Sequence, residues 1–167
     1  MSHKAYVAIG TNLGDRLGNY RKALAKIDEL TDTRVTRRSS LYESEPHGNA
    51  RNWFLNGVVE ISTEIDSRQL LKDLLRIETE LGRKREKSKK KSVSRVIDLD
   101  IVLFDNETID SRNLKIPHPQ MPNRRFVLLP LSELVPAAVH PILGVSISAL
   151  LATTEDTGKV LLFKEPT

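Results

Sequence analysis

The order of strand-like and helix-like patterns is the feature that most restricts the fold of this 167-residue sequence. Apolar residues recur every three or four positions from Leu17 to Leu30 and from Leu70 to Leu81, which predicts two amphipathic helices. Asp66 or Ser67 is expected to begin the second helix, and Gly82 to end it. Four segments rich in β-branched and apolar residues predict strands at 4–10, 34–42, 54–65 and 96–104.

The predicted order is therefore strand, helix, strand, strand, helix, strand, which is typical of the ferredoxin-like fold. We expect an α+β protein with a ferredoxin-like βαββαβ core, an antiparallel sheet and additional C-terminal elements. A loop is predicted at 43–52. The further elements are a small strand at 107–110, a helix at 123–129 stopped near Pro130, a short helix at 146–151 and a strand at 160–163. No repeat divides the chain, so one domain over residues 1–167 is expected.

Several function classes are excluded by what the sequence lacks. Without cysteine there is no disulfide scaffold, thiolate metal site or cysteine nucleophile. No Walker-type lysine loop, Ser-His-Asp arrangement or zinc-ligand pattern is present. Neither a signal peptide nor an apolar run of about 18 residues is found, so we expect a soluble cytoplasmic protein without a membrane partner.

Positive charge is concentrated in residues 83–95, which carry eight basic side chains and one acidic side chain in a protein of formal charge +4. The arginines at or near the ends of this loop, Arg83, Arg85 and Arg95, suit the bidentate binding of terminal phosphate oxygens. The lysines at 87–91 are typical of a solvated surface run. The alternative function is a nucleic-acid-binding module that uses this loop. Against it, the loop contains no aromatic residue and no RNA-recognition signature adjoins it.

Two carboxylates, Asp98 and Asp100, interrupt an otherwise apolar strand that the pattern predicts to be central in the sheet. Residues two apart on a strand point to the same face, so these side chains project side by side. Adjacent buried carboxylates are costly unless a cation lies between them, and Mg²⁺ is commonly held by one or two carboxylates plus substrate oxygens. A solvated strand face is the structural alternative. Nucleotide-sugar glycosyltransferases form a rival class with the same motif.

His118 lies between Pro117 and Pro119, which restrict the backbone on both sides of it. A single histidine is more often structural than functional. With Arg124 and Arg125 nearby in the sequence, however, a rigidly held imidazole suits phosphate binding. Both interpretations of His118 stay open at this point.

Taken together, these residues resemble the 6-hydroxymethyl-7,8-dihydropterin pyrophosphokinase family from Tyr6 to about Leu151. The resemblance rests on several short segments in a fixed order. They are AIGTNLGD at 8–15, SLYESEP at 40–46, FLN at 54–56, Glu78 with Gly82-Arg83, the strand at 95–104, PHP at 117–119 and NRRFVLLPL at 123–131.

The resemblance implies transfer of pyrophosphate from ATP to the pterin hydroxymethyl oxygen, with release of AMP, in folate biosynthesis. It implies two Mg²⁺ ions on Asp98 and Asp100, with Asn12 supporting the site. The implied catalytic residues are Arg83, Arg95, Asp98 and Asp100. The implied ATP contacts are Arg83, Arg85, Arg95, Ile101, His118 and Arg124, and the implied pterin contacts are Ser44, His47, Phe54, Asn56 and Phe126. We expect a monomer that acts on these two small molecules and does not bind nucleic acid.

Overall fold

The structure is a computed structural model that describes residues 2–46, 52–82 and 96–165. The elements of the first half are β1 (His3–Thr11), α1 (Arg16–Asp28), β2 (Thr33–Arg38), β3 (Tyr42–Ser44), β4 (Phe54–Thr63) and α2 (Ser67–Glu80). The second half contains β5 (Asp98–Phe104), β6 (Ile109–Asp110), β7 (Lys115–Ile116), a 3₁₀ turn (Met121–Asn123), α3 (Arg125–Leu134), α4 (Ile147–Thr153) and β8 (Val160–Leu162).

A six-stranded antiparallel sheet organises the molecule, in the order β5-β1-β4-β3-β8 with β2 also beside β4, and β6 and β7 form a separate two-stranded sheet. The inner strand β1 pairs with β4 from His3↔Thr63 to Thr11↔Leu55 and with β5 from Ala5↔Phe104 to Gly10↔Asp98. Strands β5, β1, β4 and β2 with helices α1 and α2 form the predicted ferredoxin-like βαββαβ core. Elements β6, β7, α3, α4 and β8 are the C-terminal additions.

Side chains of β1 alternate between two separate apolar clusters, as the pleat of a strand requires. Ala5, Val7 and Ile9 are fully buried on the face covered by α1 and α2. Tyr6 points to the opposite face, where α3 and α4 pack. The two core helices therefore share one face of the sheet. The second helical layer covers part of the other face.

The predicted strand at 34–42 is divided into β2 and β3 around Ser39. The backbone N–H of Ser39 donates to the Val58 carbonyl at 2.9 Å, and its Oγ accepts from the Val58 N–H at 2.9 Å. A side-chain oxygen thus replaces a backbone acceptor, which ends regular strand pairing. Leu41 then packs over Gly57, where a Cβ would lie only 2.8 Å from Leu41 Cδ2.

The ends of α2 follow the predicted signals. Asp66 is the N-cap, and its carboxylate accepts from the Gln69 N–H at 2.8 Å. Gly82 has a φ of +98° directly after the C-cap, a conformation that glycine adopts without strain. The predicted loop at 43–52 begins later than expected, since Glu43 and Ser44 pair with β4 and β8.

The predicted helix end near Pro130 is wrong, because α3 continues to Leu134. A proline inside a helix costs about 3 kcal/mol through a lost hydrogen bond and a clash with the preceding turn. One face of α3 is buried against the sheet, and each fully buried aliphatic side chain contributes about 1.5–3 kcal/mol. The buried side chains of this face are Val127, Leu128, Leu131 and Leu134. Their packing outweighs the cost of the proline.

His140 is a buried histidine in the segment between α3 and α4, with 4% of its surface exposed. Its Nδ1 accepts hydrogen bonds from the backbone N–H groups of Ile142 at 3.2 Å and Leu143 at 3.1 Å. Burial lowers the pKa of His140 below its ordinary value. As the pH falls, His140 is therefore protonated at a higher pH in the unfolded chain than in the folded protein.

Stability attributable to His140 is thus lost as the pH falls below about 6.5, the ordinary pKa of histidine, towards its lower value in the folded protein. In a His140→Asn variant, an amide oxygen replaces Nδ1 as the acceptor and nothing titrates. We expect the fall in Tm between about pH 7 and pH 5.5 to be smaller in this variant than in the wild type. Equal falls in calorimetric melts would show that His140 does not contribute.

Across the described ranges, no helix is long and apolar enough to span a lipid bilayer.

Candidate active site

A cavity of about 340 Å³ opens on the face of the sheet that carries α3. Strands β1, β4 and β5 form its floor, and β3 contributes at the side. The turn before α3, the start of α3 and the C-terminal segment complete it. Its lining includes Ala8, Gly10, Ser44, Phe54, Asn56, Asp98, Asp100, Gln120, Asn123, Arg124, Phe126 and Asp156.

The strand register places an amide and a carboxylate on either side of a glycine in this floor. Gly10 of β1 is paired with Asn56 of β4 on one side and with Asp98 of β5 on the other. Adjacent strands lie about 4.8 Å apart, so Asn56 and Asp98 are separated by roughly 10 Å across the glycine. A Cβ on Gly10 would lie 3.5 Å from Asn56 Oδ1. The glycine therefore leaves open floor between the two polar side chains.

Asp98 and Asp100 both line the cavity and are partly exposed. Between them, the Leu99 N–H donates to the carboxylate of Glu78 in α2 at 2.8 Å. Glu78 is buried, with 4% of its surface exposed. This contact fixes the backbone from which the two aspartates project.

The prediction that this strand is central in the sheet is wrong. In the described chain, β5 pairs only with β1 and forms an edge of the sheet. The strand is apolar because it is covered on both faces: Leu99 packs with the α1–α2 cluster and Val102 with the α3–α4 cluster. Layers of helices, rather than flanking strands, account for its composition.

His118 is half-buried within range of the charges of Asp98 and Arg124, and it is tied to β5 through its own N–H, which donates to the Val102 carbonyl at 3.0 Å. Burial and the positive charge of Arg124 lower the pKa of His118, while the charge of Asp98 opposes this effect. Nδ1 accepts from the Gln120 N–H at 3.1 Å. His118 is therefore neutral at pH 7, with the proton on Nε2.

Asn56 is held in one orientation by two contacts to β3. Its Nδ2 donates to Ser44 Oγ at 2.8 Å and to the Tyr42 carbonyl at 3.3 Å. Asn56 and Ser44 are both buried. Because these contacts use the amide N–H groups, the Oδ1 acceptor is directed to the cavity side, next to Gly10.

Two aromatic rings and one guanidinium group also line the cavity. Phe54 begins β4, and Phe126 lies in the first turn of α3. The Arg124 guanidinium carbon lies 5.8 Å from the centre of the Phe126 ring, within range of a cation–π interaction. A flat ring system and an anionic group thus have complementary partners in neighbouring parts of one cavity.

The structure brings most of the described predicted contact residues together around the cavity, but Ile101 and His118 are not among the residues that line it. The Ile101 side chain belongs to the α1–α2 cluster, because strand alternation turns it to the face opposite Asp100. The predicted supporting residue Asn12 is buried and donates to the Asn52 carbonyl at 3.2 Å. His47, Arg83, Arg85 and Arg95 lie outside the described residues.

Three polar side chains of the cavity lining were not predicted as site residues: Gln120, Asn123 and Asp156. The first two belong to the segment around the PHP and NRRF motifs, so proximity along the chain could have indicated them. Asp156 lies 31 residues beyond Arg125, to which it bonds. No local pattern in the sequence indicates this long-range contact.

Potential metal ligands also lie at the other end of β5. His3, Asp105 and Glu107 have ligand atoms within 4.8 Å of one another. Asp105 follows the last residue of β5, whereas Asp98 begins this strand. A strand of this length extends about 20 Å, so the cluster is remote from the cavity.

Comparison with known proteins agrees with this geometry. The model of the family 7,8-dihydro-6-hydroxymethylpterin-pyrophosphokinase matches residues 6–136. The chain is 43% identical over 135 residues to the 2-amino-4-hydroxy-6-hydroxymethyldihydropteridine pyrophosphokinase of Bacillus subtilis, covering 80% of this chain and 79% of that protein. It is 40% identical over 138 residues to the protein of the same name from Haemophilus influenzae, covering 82% and 84%.

A solved structure, the HPPK-DHPS protein of Plasmodium falciparum, superimposes with a TM-score of 0.73 at 16% identity. The match covers 91% of this chain and 45% of that one, so the present chain spans less than half of its length. At this identity the similarity supports the fold alone.

The fold gathers carboxylate, arginine and aromatic groups around one cavity of a size that suits small molecules. The chain belongs to the 7,8-dihydro-6-hydroxymethylpterin-pyrophosphokinase family. It is accordingly an ATP-dependent pyrophosphokinase of folate biosynthesis, and the nucleic-acid-binding alternative has no support.

Proposed function

We propose that this cavity binds both substrates, with the triphosphate of ATP at Asp98 and Asp100 and the pterin beside Asn56. The row formed by Asp98, Gly10 and Asn56 across three strands carries the proposal. In this row, the carboxylate of Asp98 and the amide of Asn56 are about 10 Å apart, with Gly10 between them. This distance suits a bicyclic ring that carries, at one end, the hydroxyl group to which the phosphate is transferred.

We propose that Asp98 and Asp100 hold two Mg²⁺ ions. The donor set fits these ions, because two partly exposed carboxylates supply hard oxygen ligands and leave other coordination positions to phosphate and water. When bound, the ions neutralise the triphosphate and stabilise charge on the attacking and leaving oxygens. Glu78 keeps the two carboxylates in register through Leu99.

The pterin contacts proposed are Ser44, Phe54, Asn56 and Phe126. The Oδ1 atom of Asn56 accepts from an N–H on the amide-like edge of the pterin. The amide is held in this orientation because its Nδ2 group donates to Ser44 Oγ and to the Tyr42 carbonyl. The rings of Phe54 and Phe126 supply apolar surface for the flat heterocycle. His47 remains a predicted contact.

In the reaction, the pterin hydroxymethyl oxygen bonds to the β-phosphorus of ATP, and the bond from this phosphorus to the oxygen bridging the α-phosphate breaks. AMP leaves with that oxygen, and the hydroxyl proton is released. Such a displacement depends on alignment and charge neutralisation rather than on covalent catalysis. Arg124 contributes positive charge, and neutral His118 donates from Nε2 to a phosphate oxygen.

Arg83, Arg85 and Arg95 are proposed to bind the phosphates as well. Arg95 precedes Asp98 by only three residues in the sequence, which supports a role for it at the same site. We also propose that the enzyme acts as one domain and as a monomer in the cytoplasm. Residues from β1, β3, β4, β5 and the start of α3 surround a single cavity, which supports the proposal of one domain.

The proposed reaction is tested by incubating the protein with ATP, Mg²⁺ and 6-hydroxymethyl-7,8-dihydropterin. We expect AMP and the pterin diphosphate in equal amounts. Formation of ADP, or salt-sensitive RNA binding without AMP, would contradict the proposal.

The proposed role of His118 predicts a difference between two substitutions. His118→Ala removes the Nε2 donor and is expected to lower kcat/KM for ATP about tenfold, the usual cost of a lost hydrogen bond to a charged group. His118→Gln places an amide N–H near the position of Nε2 and is expected to retain most activity. Equal losses in steady-state kinetics of the two variants would argue against a donor role.

A further inference from the structure

The segment from Thr154 to Leu162 lies beyond residues 6–136, the part of the chain that matches the family model. We call residues 154–162 the C-terminal strap. One of its side chains, Asp156, nevertheless lines the cavity. The strap also bonds to two elements that carry proposed substrate contacts.

At the start of α3, two strap side chains bond to the backbone on either side of Arg124. Thr154 Oγ1 donates to the Pro122 carbonyl at 2.9 Å. Asp156 Oδ2 accepts from the Arg125 N–H at 2.8 Å. The other Asp156 oxygen, Oδ1, accepts from the Gly158 N–H at 2.9 Å, which fixes the carboxylate within the strap.

Helix α3 has an unusual N-terminus that explains this arrangement. Its N-cap residue is Arg124, whose side chain makes no capping hydrogen bond. Helices usually have Ser, Thr, Asp or Asn at this position, because the side-chain oxygen accepts from an unpaired N–H of the first turn. Asp156 supplies such an oxygen from a distant part of the chain. Its negative charge is also favourable at the positive end of the helix dipole.

The other end of the strap joins strand β3. The Lys159 N–H donates to Glu45 Oε1 at 3.0 Å, and the Glu45 N–H donates to the Lys159 carbonyl at 3.2 Å. Val160 of β8 is paired with Ser44 of β3, and Ser44 Oγ accepts a hydrogen bond from the Asn56 amide. The strap therefore connects the turn that carries Arg124 to the strand that orients Asn56.

We infer that Asp156 is a positioning residue that holds Arg124 at the phosphate end of the cavity. This inference rests on the proposed role of Arg124 as an ATP contact. Asp156 acts through the backbone N–H of Arg125, the residue next to Arg124. Without its carboxylate, that N–H loses its acceptor and the first turn of α3 frays, so the guanidinium group is no longer preorganised.

Asp156→Ala is expected to lower kcat/KM for ATP about tenfold, the size of effect that loss of a helix cap produces. Asp156→Asn keeps one acceptor oxygen and loses the charge, so a loss of roughly threefold is expected. Glu155→Ala is the matched control, since Glu155 is the exposed neighbour of Asp156 and does not line the cavity. Its kinetics should equal those of the wild type.

A double-mutant cycle separates positioning from a general loss of stability. If Asp156 acts through Arg124, adding Asp156→Ala to an Arg124→Ala variant should cost less than about twofold further. The inference would be overturned if the losses in kcat/KM of the two single variants simply added in the double variant. It would also be overturned if Asp156→Ala had the same kinetics as the control Glu155→Ala. Should Asp156→Ala fail to fold, as judged by thermal melting, the same cycle with Asp156→Asn gives the same decision.

The cycle is measured in parallel as the calorimetric Kd of an α,β-methylene ATP analogue with Mg²⁺. Coupling between Asp156 and Arg124 in this affinity supports the inference, and additivity overturns it, whether or not turnover occurs. A wild-type protein that binds the analogue but forms no AMP would contradict the proposed function instead. The two failures are therefore distinguishable.

Discussion

Replacing Asp98 or Asp100 with asparagine is expected to reduce AMP formation by about a thousandfold or more. The substitution keeps the shape of the side chain but removes the charge that the proposed Mg²⁺ site requires. Metal ions contribute several kcal/mol to charge stabilisation in such reactions, and each 1.36 kcal/mol corresponds to about tenfold in rate. Steady-state assays of AMP release measure this effect directly.

The matched control for these variants is Asp105→Asn. Asp105 lies just beyond the other end of the same strand, where it accepts from the Lys4 N–H at 2.8 Å and is remote from the cavity. Its turnover should stay near that of the wild type. Circular dichroism should show that all three variants keep the fold. Turnover of Asp98→Asn or Asp100→Asn within about tenfold of the wild type would remove the carboxylate pair from the mechanism.

Asn56→Ala is expected to weaken pterin binding about a hundredfold, with little change in affinity for an ATP analogue. The variant removes the acceptor that faces the cavity and also leaves Ser44 Oγ without the Asn56 donor. Sites built around a buried polar group lose large factors when a hydrogen-bonding partner is missing. Calorimetric titration with pterin, in the presence of a non-hydrolysable ATP analogue, measures the loss.

Two further variants define the role of Asn56. Asn56→Asp keeps a cavity-side oxygen but cannot donate to the Tyr42 carbonyl, so it should also bind pterin poorly. Ser44→Ala keeps the Asn56 acceptor but removes one of its anchors and the proposed contact of Ser44 itself, so a loss of roughly fivefold is expected. If Asn56→Ala weakened pterin and ATP analogue equally, the amide would not be specific for the pterin.

The core of the fold could be predicted because its signals are local. Helices α1 and α2 have regular apolar periodicity, and the predicted strands at 4–10 and 54–65 correspond to β1 and β4. The errors arise where tertiary contacts compete with local preference. Ser39 replaces a backbone acceptor in the middle of a predicted strand, and the buried face of α3 carries the helix past Pro130.

The site was predictable to a similar extent. The side-by-side projection of Asp98 and Asp100 follows from strand alternation, and both line the cavity. The same alternation turns the side chain of Ile101, a residue that the resemblance assigns to ATP, away from the cavity, and its role stays a prediction. Asp156 could not be found, because its contact with Arg125 depends on how the chain returns to α3. The roles of His47, Arg83, Arg85 and Arg95 stay predictions.

The neutral state of His118 also depends on the fold. Sequence left structural and phosphate-binding interpretations open. The folded chain adds burial and the Arg124 charge, which together lower the pKa of His118. A neutral imidazole with Nδ1 occupied by the Gln120 N–H is a directed hydrogen-bond donor rather than a cation.

The central claim is the transfer of an intact pyrophosphate group from ATP to the pterin at this site. It is tested most directly with ATP that carries radioactive phosphorus in the β-phosphate only. With Mg²⁺ and 6-hydroxymethyl-7,8-dihydropterin, the wild-type protein should transfer the label of every ATP consumed to the pterin product, and the AMP released should be unlabelled. The Asp98→Asn variant should transfer almost no label. Label retained in a nucleoside diphosphate, or equal transfer by the wild type and Asp98→Asn, would contradict the account.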